Sequence, residues 1–129
     1  MGLTKLIKPV AEYQQWKASD LSNGDIIDVY KSLGNRPAHS ITIESLSGAS
    51  TIRFNVGKKI YRQWGPNDPY VGSGMGANRP CPIMVAEIEE AKPDVIIEEA
   101  STQTWIAQEL TVYDIKIISK SSGLKITVT

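Results

Sequence analysis

One histidine, His39, and one cysteine, Cys81, are the only imidazole and thiol in the chain. They cannot complete a structural zinc site, which takes four Cys or His ligands. As a nucleophile and base they would need an activated thiolate. Pro80 and Pro82 flank Cys81, and no helix N-terminus is expected there to lower its pKa. A buried structural thiol is the simpler reading, and His39, just ahead of a strand, reads as a surface residue. Carboxylates are denser: Glu87, Glu89 and Glu90, then Asp94, Glu98 and Glu99. Paired acids held roughly 5–10 Å apart run glycoside hydrolysis. On a strand Glu87 and Glu89 share a face, where they could line a groove or bind Ca²⁺ with backbone oxygens. The preferred alternative is the solvated face of an edge strand, where charge discourages aggregation.

Two further patterns invite a test. Gly72-Ser73-Gly74-Met75-Gly76 has the glycines of a phosphate loop. Such a loop opens a helix, whereas Arg79-Pro80-Cys81-Pro82 cannot begin an ordinary one, and no Gly-Lys-Ser/Thr follows. Lys58-Lys59-Ile60-Tyr61-Arg62-Gln63-Trp64 interleaves cations with aromatics, as single-strand nucleic-acid binders do. Overall neutrality and few aromatics elsewhere argue against nucleic acid. No catalytic residues, metal or cofactor are therefore expected, and the chain reads as a binding or assembly module, not an enzyme.

The elements that would carry these residues are mostly strands. Ser40–Ser45 alternates with Ile41 and Ile43 on one face, and Thr51–Val56 repeats this with Ile52, Phe54 and Val56. Leu46-Ser47-Gly48-Ala49-Ser50 between them predicts a hairpin turn. Asp114–Ser119 and Leu124–Thr129, around Lys120-Ser121-Ser122-Gly123, predict a second pair in the same way. Leu110 and Val112 share a parity that Ile115 and Ile117 do not, so a bulge or break is expected near Tyr113-Asp114. Further strands are expected at 25–30, 58–63, 83–89, 94–99 and 104–109. A short N-terminal helix is expected over Val10–Ser19, with Tyr13 and Trp16 three apart on one face. Helices do not alternate with strands, so the expected class is mainly β: an antiparallel sandwich or small barrel, jelly-roll-like.

Residues 65–82 break the pattern, with four glycines and four prolines. Structureless stretches this long are uncommon in compact domains unless they serve a purpose. A plain connection between sheets is one reading. The other is a projecting loop that orders against a neighbour through Trp64, Tyr70, Val71, Met75 and Arg79, apolar content that a solvated loop does not need.

At 129 residues the chain fits one domain, with 1–9 as an extended arm. Lysine plus arginine equals aspartate plus glutamate at 14 each, so no net field draws it to nucleic acid or an acidic membrane. The halves differ: residues 1–65 hold nine basic and five acidic groups, residues 66–129 the reverse. Chance composition explains this, as would faces that pair in an oligomer. A lone cysteine allows no internal disulfide and suits a reducing cytosol or a particle assembled inside a cell. No apolar run approaches the ~18 residues of a membrane helix, and Met1–Val10 lacks the pattern of a signal peptide.

A small, neutral, cysteine-poor, β-rich chain with the strand Ser40-Ile41-Thr42-Ile43-Glu44 and the segment Gly123–Thr129 resembles small virion structural proteins of tailed bacteriophages. These are the capsid decoration (cement) proteins and the small neck and tail components. The resemblance is one of style across most of the chain. It implies a β-sandwich or β-barrel body with extended arms, a symmetric homo-oligomer with a trimer favoured, and a seat on a capsid shell or tail assembled in the host cytoplasm. A carbohydrate-binding β-sandwich, using a tryptophan or tyrosine platform beside a carboxylate, is the alternative.

Overall fold

The computed structural model describes residues 5–63, 82–106 and 111–129. The expected interaction residues Trp64, Tyr70, Val71, Met75 and Arg79, and also Cys81, lie outside the described residues. The fold is mainly β, in two sheets. One has the order β1-β3-β9-β5-β6, with β7 also paired to β5: β1 Lys5–Leu6, β3 Ile26–Asp28, β5 Ser50–Gln63, β6 Pro82–Ala91, β7 Val95–Ile97 and β9 Val112–Ser119. The other has the order β2-β10-β4-β8: β2 Gln14–Lys17, β4 Ser40–Ser45, β8 Ser101–Ile106 and β10 Leu124–Val128. The sheets stay separate, so the barrel among the expected architectures does not form.

The chain divides into two compact units. The first, Met1–Gly57 with Glu89–Thr129, holds the core. Its strands follow the two-residue period. Ile41 and Ile43 of β4, Ile126 and Val128 of β10, Ile52 and Phe54 of β5, and Ile115 and Ile117 of β9 are all buried in one cluster. Fully burying one such side chain contributes about 1.5–3 kcal/mol. The second unit, Lys58–Ile88, takes in the later part of β5 and the earlier part of β6.

Both expected hairpins are corners instead. β4 pairs with β10 and β8, while β5 pairs with β9 in the other sheet, so 46–49 carries the chain from sheet to sheet. β9 and β10 are divided in the same way. Alternation fixes which face is buried, but it does not say which strand lies alongside. The two corners meet. The Ser45 hydroxyl lies 2.9 Å from those of Ser50 and Ser121, and the Leu46 amide donates to the Gly123 carbonyl. A Cβ on Gly123 would stand 2.6 Å from the Ser47 nitrogen, so only glycine fits this approach.

The helix expected over Val10–Ser19 is corrected to a strand, β2, followed by a single 3-10 turn at Ala18–Asp20. Gln14, Trp16 and Ala18 are buried while Tyr13 and Lys17 are exposed, a period of two. The polar Gln14 disguised it. Its amide is satisfied by the carbonyls of Pro9 and Ser32, at 2.6 and 2.9 Å. The strand expected over Asp25–Tyr30 is shorter, because Val29–Ser32 turns into a four-residue helix, α1, capped by Asp28 on the Lys31 amide. The expected irregularity near Tyr113 is present as a bulge: Asn55 pairs with Asp114 and Val56 with Val112, so the register shifts by one residue at Tyr113.

Candidate functional site

The acidic residues singled out by the sequence do not converge. Glu89 accepts from the Asn55 amide at 3.3 Å, Glu90 pairs with Lys92 at 3.6 Å, and Asp94 pairs with Arg53 at 2.7 Å. Glu87 is exposed on β6, and Glu98 and Glu99 are exposed in the connection from β7 to β8. Among the described residues no group of three or more His, Cys, Asp or Glu is arranged to hold a metal ion. His39 is exposed and its backbone amide donates to the Thr129 carbonyl.

A different acidic pair went unread. Asp28 of β3 and Asp114 of β9 are buried and directly opposite each other in register. The Lys5 ammonium of β1 stands 3.4 Å from Asp28 and 3.9 Å from Asp114, and the Asn55 amide donates to Asp114 at 3.3 Å. Burial pushes the Asp114 carboxyl above its ordinary value; the Asn55 hydrogen bond and Lys5 oppose this, while Glu89 and Asp28 add to it. The arrangement sets a half-exposed lysine of β1, a strand paired with β3, over two buried carboxylates. No periodic signal marks such a pair, because a carboxylate within a strand reads by default as outward-facing.

The first unit also contains a cavity of about 370 Å³, walled chiefly by Ile41, Phe54, Val56, Val95, Trp105 and Val112, with Lys92 and Asp94 contributing the charged groups. Trp105 stands edge-on to Phe54, with ring centroids 5.0 Å apart. Trp105 is thus a half-buried wall of an open apolar cavity. Trp16 is core.

The second unit has the opposite character. None of its described side chains is buried. Tyr61 on β5 and Met84, Val85 and Ile88 on β6 are each 50% to 56% exposed. Val85 and Met84 point to opposite faces of β6, so apolar surface is open on both. Lys58, Lys59 and Arg62 share this unit with Tyr61, which keeps four members of the expected basic-aromatic patch on one strand. Among the described residues no helix is long and apolar enough to cross a membrane.

Compared with known proteins, the chain matches no family model, no curated protein sequence and no solved structure.

Proposed function

We propose that this chain is a non-enzymatic assembly protein, a β-sandwich body that docks to a larger protein assembly through the ribbon that the later part of β5 forms with the earlier part of β6. One observation carries the reading. The ribbon buries none of its described side chains yet carries Tyr61, Met84, Val85 and Ile88, all at least half exposed. A two-stranded ribbon by itself is marginal in water. Four large apolar side chains left open within so few residues favour an interaction surface. A partner that covers these residues supplies the burial that the ribbon lacks. The setting is the virion of a tailed phage, as a decoration, neck or tail component in a homo-oligomer, with three-fold symmetry favoured. Its support is the stylistic resemblance of the sequence.

The test is the solution mass, together with what co-purifies, for the parent chain and for the triple variant Tyr61→Ser, Met84→Ser, Ile88→Ser. The variant is expected to lose its partners and fall in mass while its body still unfolds cooperatively. Unchanged mass and unchanged partners would overturn the reading.

The cavity beside Trp105 favours a second reading, a ligand-binding module. Its walls suit an apolar guest better than a sugar, since Asp94 is already held by Arg53 and few other polar groups converge there. Tryptophan fluorescence against a glycan panel and an apolar dye decides it. A spectrum that ignores both, or a response kept in Trp105→Ala, removes the idea.

A further inference from the structure

The outer strands of the two sheets are not alike. β1 is two residues long and carries Lys5. β2 carries Lys17, and the Lys8 ammonium donates to its Gln15 carbonyl. β6 carries Glu87, Glu89 and Glu90, and β7 is three residues long with Asp94 immediately before it. Each has a device that discourages strand addition: brevity, charge or a covering side chain. β8 has none of these. It runs six residues, Ser101-Thr102-Gln103-Thr104-Trp105-Ile106, with neither charge nor proline. Among the described residues it pairs with β4 alone, in register from Ser40↔Ile106 to Ser45↔Ser101. Not one of its side chains is buried, and Ile106 is 70% exposed.

We infer that β8 is a self-association edge, pairing antiparallel with β8 of a second copy about a two-fold axis centred on Thr104. Two observations choose a second copy as the occupant. The first is charge. Two-fold pairing sets a strand against its own sequence, so an ionised side chain on the axis meets its like at about 5 Å and one beside it meets its like diagonally. The sequence of β8 avoids this throughout. The second is a row of side chains across the sheet. Gln15 of β2, Thr127 of β10, Thr42 of β4 and Thr104 of β8 are successive register partners. The Gln15 amide donates to the Thr127 hydroxyl at 3.1 Å, and the Thr42 and Thr104 hydroxyls lie 3.2 Å apart. Among the described residues the row stops at β8, the last strand of its sheet, on a residue that pairs well with itself. A two-fold axis at Thr104 continues it into the second copy and extends the sheet from four strands to eight. In that register Thr102 faces Ile106 of the partner subunit, and Gln103 faces Trp105 of the partner subunit. Each opposed pair of β-branched or aromatic residues adds favourably to the contact.

β8 shares no residue with the ribbon, so failure of this pairing is separable from failure of the proposed function. The experiment is the solution mass of the whole chain at about 100 μM, where a contact with a micromolar Kd is occupied. The parent is expected to contain an even number of copies. Thr104→Lys and Thr104→Glu, which place like charges together at the axis, are each expected to halve that mass while still unfolding cooperatively. Mixing the two variants sets Lys against Glu and restores the parent mass. The ribbon triple variant retains the pair, and combining it with Thr104→Lys leaves single chains. A monomeric or odd-numbered parent, an unchanged mass in either variant, or a mixture that stays at half mass would each overturn the inference.

Discussion

The body and the ribbon are built from the same residue types and the same alternation, yet they end in opposite states. In the body, Ile52, Phe54 and Val56 of β5 are buried against Ile115 and Ile117 of β9 and the second sheet. A few residues further along the same strand, Ile60 is half-buried and Tyr61 is exposed. Strand formation and burial are therefore separate events in this chain. Alternation makes a strand able to bury one face, and burial follows only where another layer is present to cover it.

That contrast can be attacked from either side. The largest effect is expected where a side chain is enclosed by both neighbouring strands. Ile126→Ala in β10 should cost about 2–5 kcal/mol in chemical denaturation. Ile88→Ala on the ribbon should move the same curve by less than about 0.5 kcal/mol, as exposed sites do. If the two changes cost the same, the contrast fails. The next effect belongs to the meeting of the corners. Gly123→Ala drives a methyl into the Ser47 backbone and should cost about 1–3 kcal/mol, measured the same way.

The smallest effect concerns the buried acids, of which the ribbon has none among its described residues. The folded chain holds the Asp114 proton more tightly than the unfolded chain does. Stability should therefore decline as pH rises from the ordinary value, 3.8, through the raised folded value. Asp114→Asn should remove that decline. Denaturation midpoints from acid to neutral pH check this, and a variant whose midpoints fall as the parent's do would refute it.

Much of the body was legible. The alternation in Ser40–Ser45, Thr51–Val56, Asp114–Ser119 and Leu124–Thr129 named the strands and their buried faces, and the parity change at Tyr113 named the bulge. Sheet membership was not legible, because Gly48 serves a corner between sheets as well as it serves a hairpin. β2 was hidden by Gln14, a polar side chain buried where the pattern calls for an apolar one. Asp28 and Asp114 were hidden for the related reason that their compensation, Lys5 and Asn55, comes from distant segments. Site prediction from residue type found exposed acids and missed buried ones. Of the exposed apolar residues, Tyr61 drew notice through the cations around it, whereas Met84, Val85 and Ile88 were read only as strand, because exposure is a property of what covers a residue.

The position of β10 between β2 and β4 also governs when this molecule can come together. Gln14 finds its ladder partner in Val128, at nearly the far end of the chain. Until that loop closes, β2 lacks its one strand partner among the described residues, and β4 has at most β8 there. Such dependence on remote contacts slows acquisition of structure, because the entropy of closing the loop is lost before its contacts form. The uncharged edge of β8 is available throughout that interval, so nascent chains at high concentration are expected to meet one another there before each has finished folding.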